Sequence, residues 1–210
     1  MAKGELTRAR ILEQALPLAS RLGLDGLTLG VLAEALGLSK SGLYAHFRSK
    51  EALLLALLEH TRNRFVSHAA SYMEGRAKGL DTLRAYLRAW LDWVALPELP
   101  AGCPILGAAF ELEDLEGPPR EHILEIQRAS RDALRKMLLA AIGEGELDES
   151  APVRQIIFEL RGIALAFHQE LRLMRDPEAR ALADAAIEGL LSRYSPSKMK
   201  GRRGCREARR

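Results

Sequence analysis

The sequence predicts an all-α protein, and three observations carry the prediction. Leucine and alanine dominate, aromatic residues make up 5%, and β-branched residues are sparse, a composition that favours helix over strand. Apolar residues recur at spacings of three and four along successive segments, the period of a helix with one buried face. Glycines and prolines punctuate that pattern at helix-length intervals. With 210 residues, 48% hydrophobic and 28% charged, the chain is long enough to bury a full core in one or two domains. The expected division is a three-helix helix-turn-helix domain over 1–50, extending into the next helix to about 64, a helical body over 51–194, and a basic, disordered tail over 195–210.

The first helix is expected from about Leu6 to Leu22, with Ile11, Leu12, Ala15, Leu16, Ala19 and Leu22 on one face and Gly23 as its stop. Pro17 lacks a backbone donor and should kink it. Thr28 can cap a short second helix whose apolar face is Leu29, Leu32, Ala33 and Leu36. Gly37 and Leu38 make the corner, since glycine tolerates the left-handed backbone that ends a helix. Ser39 caps a third helix with Leu43 and Phe47 as its core face; Lys40, Ser41 and Tyr44 face the other way, with His46 at the edge. Ser49 ends it and caps the fourth.

A small helix that points a lysine, hydroxyls and a phenol outward beside such a corner is built to enter a DNA major groove. The candidate DNA-binding set is Thr28, Ser39, Lys40, Ser41, Gly42, Tyr44, His46 and Lys50. Lys40 and Lys50 suit phosphate, Tyr44 and His46 can hydrogen-bond it, and Lys40, Ser41 and Tyr44 can reach base edges. The plainer alternative is an ordinary αα corner.

The string Gly37-Leu38-Ser39-Lys40-Ser41-Gly42-Leu43-Tyr44-Ala45-His46-Phe47, followed by Ser49-Lys50-Glu51-Ala52-Leu53, resembles the DNA-binding domain of the tetracycline-repressor (TetR) family. The resemblance covers about residues 5–60; beyond it, only the helical layout is similar. It implies an all-helical homodimer whose variable C-terminal domain binds a small effector and releases DNA. The chain departs from the family pattern at Pro17, where a helix former is usual, at Ala19, near which an aromatic is usual, and at Gly30. A polar or basic side chain is frequent at that last place; glycine leaves only backbone N–H for a phosphate and costs about 1 kcal/mol of helix propensity against alanine.

The fourth helix should be long, from Lys50 to about Ser71, with Leu53, Leu54, Leu57, Leu58, Phe65 and Val66 on its buried sides. Further helices are expected over about 80–96, ended by Pro97 and Pro100, over Ala101 to Glu113 as a short apolar helix, and from Pro118 to about Ile142. The last two, about 153–175 and 178–194, are the candidate dimer helices. Apolar residues cover more than one face of the first, and Gly162, Ala164, Ala166, Ala185, Ala186 and Gly189 permit close helix approach.

Trp90, Trp93, Cys103, Phe110, Phe158, Phe167 and His168 are the candidate linings of an effector pocket, with filled core as the plain alternative for each. Few charges converge among them, so a small, largely apolar effector is expected. Cys103 reads as an inert small hydrophobe before it reads as a redox sensor.

Net charge divides as +3 over 1–50, −6 over 51–194 and +6 over 195–210. Basic ends suit a polyanion, either by adding non-specific DNA affinity or by simply solubilising the tail. Two separated cysteines, Cys103 and Cys205, no apolar run of membrane-spanning length and no signal-peptide core predict a cytoplasmic protein with no membrane partner. No catalytic motif, metal-ligand spacing or cofactor loop is present; the acidic run Glu111, Glu113, Asp114 and Glu116 reads as a solvated helix end. The expectation is a DNA-binding transcriptional regulator, a repressor working as a homodimer on double-stranded operator DNA. An effector-free DNA-organising protein, or a helical enzyme or carrier, is the alternative.

Overall fold

The computed structural model describes residues 3–196, with side chains from residue 8 onward. Cys205 and most of the basic tail, with its expected disorder, lie outside the described residues. Those residues form nine α-helices and no strand: α1 (Lys3–Gly26), α2 (Leu29–Leu36), α3 (Lys40–His46), α4 (Lys50–Met73), α5 (Leu80–Val94), α6 (Pro104–Glu111), α7 (Pro118–Gly143), α8 (Val153–Gln169) and α9 (Ala179–Arg193), with a π-helical turn over Glu170–Met174. They group into two compact units, one of residues 3–68 with 93–128, the other of 69–92 with 129–196.

The core of the first unit is the stripe Ile11, Leu12, Ala15, Leu16 and Ala19 of α1 closed over Leu29, Leu32 and Ala33 of α2, Leu43 of α3, and Leu53, Leu54, Leu57 and Leu58 of α4. Leu22, expected on that stripe, is 46% exposed. The backbone leaves helical geometry at Gly23 and not at Pro17, where the kink was expected. Gly23 takes φ 69°, and a Cβ there would lie 2.6 Å from Glu111 Oε1. Both the dihedral and the close approach therefore require glycine. The reason is a cap supplied from far along the chain: Leu24 and Asp25 N–H donate to Glu111 Oε2 at 2.8 and 3.0 Å. Glu111 is exposed, as the sequence suggested, and is a structural acceptor as well. Ser20 reinforces the seam, donating to the Gly102 carbonyl at 2.8 Å and accepting from Ala101 N–H at 2.9 Å.

In α4, Leu53, Leu54, Leu57 and Leu58 are buried as expected, but Phe65 is half-buried and Val66 is 53% exposed. The second unit holds α8, α9 and the segments beside them with paired charges. Arg84 grips Glu188 through two bonds of 2.8 Å, and Arg180 bridges Asp92 and Asp184 while Tyr72 donates to Asp92 at 2.8 Å. The helix expected to run to about 175 loses α-geometry after Gln169. The π turn ends at Arg175, which adopts φ 55°, and the N–H groups of Arg175 and Asp176 converge on the Glu170 carbonyl.

Candidate nucleic-acid interface

The helix-turn-helix is set by caps at each joint. Thr28 Oγ1 accepts from Val31 N–H at 3.1 Å and opens α2. Gly37, at φ 63° and ψ 29°, closes it, with Gly37 N–H bonding to Glu34 O and Leu38 N–H to Ala33 O. Ser39 Oγ then accepts from Gly42 N–H at 3.0 Å and lies 3.2 Å from Ser41 Oγ. Ser49, an N-cap outside the candidate set, takes Ala52 N–H at 3.0 Å and opens α4.

These joints leave α3 with two distinct faces. Leu43 and Phe47 are fully buried, and the Arg8 guanidinium stands 5.1 Å over the Phe47 ring from α1. Lys40, Ser41, Gly42 and Tyr44 are exposed, Tyr44 by 52%, and His46 is half-buried against Phe47. Thr28 and Ser39 are exposed as well, so seven of the eight candidates edge or cover one solvent-facing surface of α2 and α3. Lys50 differs: its Nζ donates to the Asp25 carbonyl at 2.7 Å and to Asp25 Oδ1 at 3.2 Å, tying the start of α4 to the segment before α2. Above Gly30 a Cβ would meet Thr28 Oγ1 at 3.7 Å and Lys40 Cε at 3.8 Å. The Lys40 stem therefore crosses the first turn of α2, the place left bare by glycine.

The same unit carries an open cleft of about 540 Å³. His60, Asn63, Arg64, Ser67 and His68 line it from α4, joined by Trp93, Leu96 and Glu98. The α4 residues recur at intervals of three, one, three and one, a polar stripe along one helix face that the search for apolar linings passed over. Trp93, 2% exposed, stands edge-on to Phe65 at 5.7 Å and tilted to His68 at 5.7 Å, and the Arg64 guanidinium is 5.8 Å from its ring centre. Glu13 of α1 reaches two partners on α4, with Arg64 Nη1 at 2.6 Å and His60 Nε2 at 2.9 Å.

Of the seven candidate pocket residues, Trp93 lines this cleft and the other six do not. Cys103 precedes α6 in the same unit, where burial pushes its thiol up and keeps it protonated, the inert state. Phe110 is 60% exposed. In the second unit Phe158 is 73% exposed, Phe167 is buried, His168 is half-buried, and Trp90 stacks edge-on to Tyr86.

Two family models match the chain. "Bacterial regulatory proteins, tetR family" matches residues 11–57, and "Tetracyclin repressor-like, C-terminal domain" matches residues 79–187. Among characterised relatives, the class A tetracycline repressor from transposon 1721 of Escherichia coli is 51% identical over 49 residues, which is 23% of each chain. The chain thus aligns with about a quarter of that repressor's length. The nucleoid occlusion factor SlmA of Sodalis glossinidius is 26% identical over 176 residues, 80% of this chain and 87% of that one. Among solved structures, a TetR transcriptional regulator from Chloroflexus aurantiacus superposes with a TM-score of 0.74 at 27% identity, covering 92% of this chain and 96% of that one.

Proposed function

The chain belongs to the TetR family of bacterial regulators, and from that premise we propose that it is a cytoplasmic transcriptional repressor, not an enzyme. It binds double-stranded operator DNA as a homodimer and is released by a small effector. The observation that carries the proposal is the outward face of α3, where Lys40, Ser41 and Tyr44 stand exposed beyond a glycine corner while Leu43 and Phe47 hold the helix to its core. Such a helix reads base edges with its exposed face and leaves its position to the packing behind it. In a dimer the two recognition helices enter successive major grooves, about 34 Å apart, so the operator is a near-palindrome.

The homodimer is supported by the second unit. Leu165 and Phe158 on α8, Leu173 and Met174 in the π turn, and Leu182 on α9 are exposed apolar residues, and a Cβ at Gly162 or Gly189 would meet nothing within 4 Å. An exposed apolar surface with open small-residue positions suits a second copy of the same helices. Residues 1–50, extended along α4, serve as the DNA-binding head, and residues 51–194 serve effector binding and dimerisation. Among the described residues no helix is long and apolar enough to cross a membrane, in keeping with a cytoplasmic site of action.

Effector binding is supported by the α4 cleft. A second reading, a DNA-organising protein without an effector, draws on the likeness to the nucleoid occlusion factor. The two are separated by measuring operator affinity in the presence and absence of a small molecule that raises the melting temperature of the protein. The repressor reading expects affinity to fall; an unchanged affinity for every stabilising compound favours the second.

A further inference from the structure

We infer that the effector is an organic monocarboxylate with an apolar body, and that it binds in the α4 cleft by displacing the Glu13 carboxylate from Arg64 and His60. The inference rests on the reading of the protein as effector-regulated and deepens it. Its starting point is that the Arg64 guanidinium and the His60 ring of this cleft are already seated on a carboxylate. Glu13 reaches Arg64 and His60 together, yet its own side chain is 50% exposed, and those of Arg64 and His60 are 33% and 20% exposed. A partly exposed ion pair contributes little net stability, so exchanging one carboxylate for another costs little. A guanidinium keeps its charge at any physiological pH and offers paired donors that match a carboxylate.

The rest of the lining sets the class further. Leu96 offers apolar surface, and Trp93, 2% exposed and packed against Phe65 and His68, stands behind it as a buried wall. Asn63 and Ser67 add neutral hydrogen-bonding groups on the same face of α4. Glu98 stands in the lining as well, so a dianion such as a phosphate ester meets a like charge. One negative charge on an apolar body fits this arrangement; an uncharged hydrocarbon has nothing to exchange for the Glu13 carboxylate on Arg64.

Displacement also provides a route to the DNA-binding head. Glu13 belongs to α1, whose Arg8 covers the Phe47 ring that closes α3. The Glu13 contacts tie α1 to α4 inside this unit, and a ligand that takes Arg64 removes that tie. Operator affinity then falls by the same factor by which DNA weakens the ligand.

The test uses the full-length protein and needs no DNA for its first arm. Benzoate, naphthoate and indole-3-acetate are each titrated against the corresponding primary amide by calorimetry and tryptophan fluorescence, with phenyl phosphate as the dianion. At least one carboxylate binds, its amide binds at least about tenfold more weakly as expected for loss of a charge-assisted bond, and phenyl phosphate is weaker than the carboxylate. Glu13→Gln frees the Arg64 guanidinium of its competing carboxylate and tightens carboxylate binding several-fold, an outcome a purely structural Glu13 does not produce. Arg64→Gln weakens it about tenfold or more; if that variant fails to fold, the Glu13→Gln and amide comparisons still decide. The inference is overturned if no carboxylate binds at millimolar concentration, if amide or phosphate matches the carboxylate, or if Glu13→Gln leaves affinity unchanged or lowers it. In the second arm the bound carboxylate lowers the affinity for a selected operator several-fold. Unchanged affinity overturns the route to the head, whereas absence of any sequence-specific DNA binding counts against the repressor reading and leaves the first arm intact.

Discussion

At the scale of single residues, α3 separates roles cleanly. Tyr44 is 52% exposed while Leu43 beside it is fully buried, so truncating Tyr44 removes a contact group without opening the core. Tyr44→Ala is expected to weaken operator binding by about 1–3 kcal/mol with an unchanged melting temperature; equal affinity in the folded variant removes Tyr44 from the interface. Gly30 offers the converse experiment. A Cβ there makes only ordinary contacts with Thr28 and Lys40, so Gly30→Lys fits, gains about 1 kcal/mol of helix propensity, and places a second cation beside the Lys40 stem. The variant is expected to bind DNA more tightly and to steepen the dependence of log K on log salt by about 0.9 for one added phosphate contact. An unaltered slope would put the first turn of α2 away from the backbone. Much of this face was legible in the sequence because capping and period-3.6 arguments are local. Lys50 was not, since its capture by Asp25 depends on how the segment before α2 returns to the start of α4.

Among the elements, the predicted helix order holds throughout the described residues, because apolar spacing and Gly/Pro punctuation are short-range signals. What escaped were the tertiary ties. The break at Gly23 was readable as a helix stop, but its partner Glu111 lies 87 residues away from Leu24, a distance at which no spacing rule operates. The polar stripe of α4 was present in the sequence and unread, because Arg64 and His60 gain their meaning only from Glu13 on another helix. On α8, Ile163 is half-buried near the exposed residues Gly162 and Ala166. Ile163→Glu is expected to give monomers, or insoluble protein, in sedimentation at micromolar concentration, where the wild-type chain sediments as a dimer; a soluble wild-type monomer would contradict the assignment of α8 and α9.

Acid sensitivity also belongs to the elements. The Arg84 guanidinium holds the Glu188 carboxyl below its ordinary value of 4.5. A lowered native value gives stability that is complete above pH 4.5 and is lost as pH falls through the native value. Both side chains are partly exposed, which limits the size of the effect. Glu188→Gln is therefore expected to be slightly less stable than wild type at pH 7 in urea, with a shallower decline below pH 4.5. Parallel curves for the two proteins would mean that the pair does not form in solution.

On the scale of the whole molecule, the chain belongs to the TetR family, and the proposed function gives its N-terminal helices the reading of DNA and the control of that reading to an effector. The central claim is sequence-specific DNA recognition by the exposed face of α3. It is tested most directly by selecting bound sequences from a random duplex library with the purified protein, then measuring affinity for the enriched sequence by fluorescence anisotropy. The account predicts a near-palindrome with half-sites spaced for successive major grooves, bound at least about a thousandfold more tightly than scrambled DNA at the same salt. No enrichment, or an enriched sequence bound no better than its scrambled control, would contradict it.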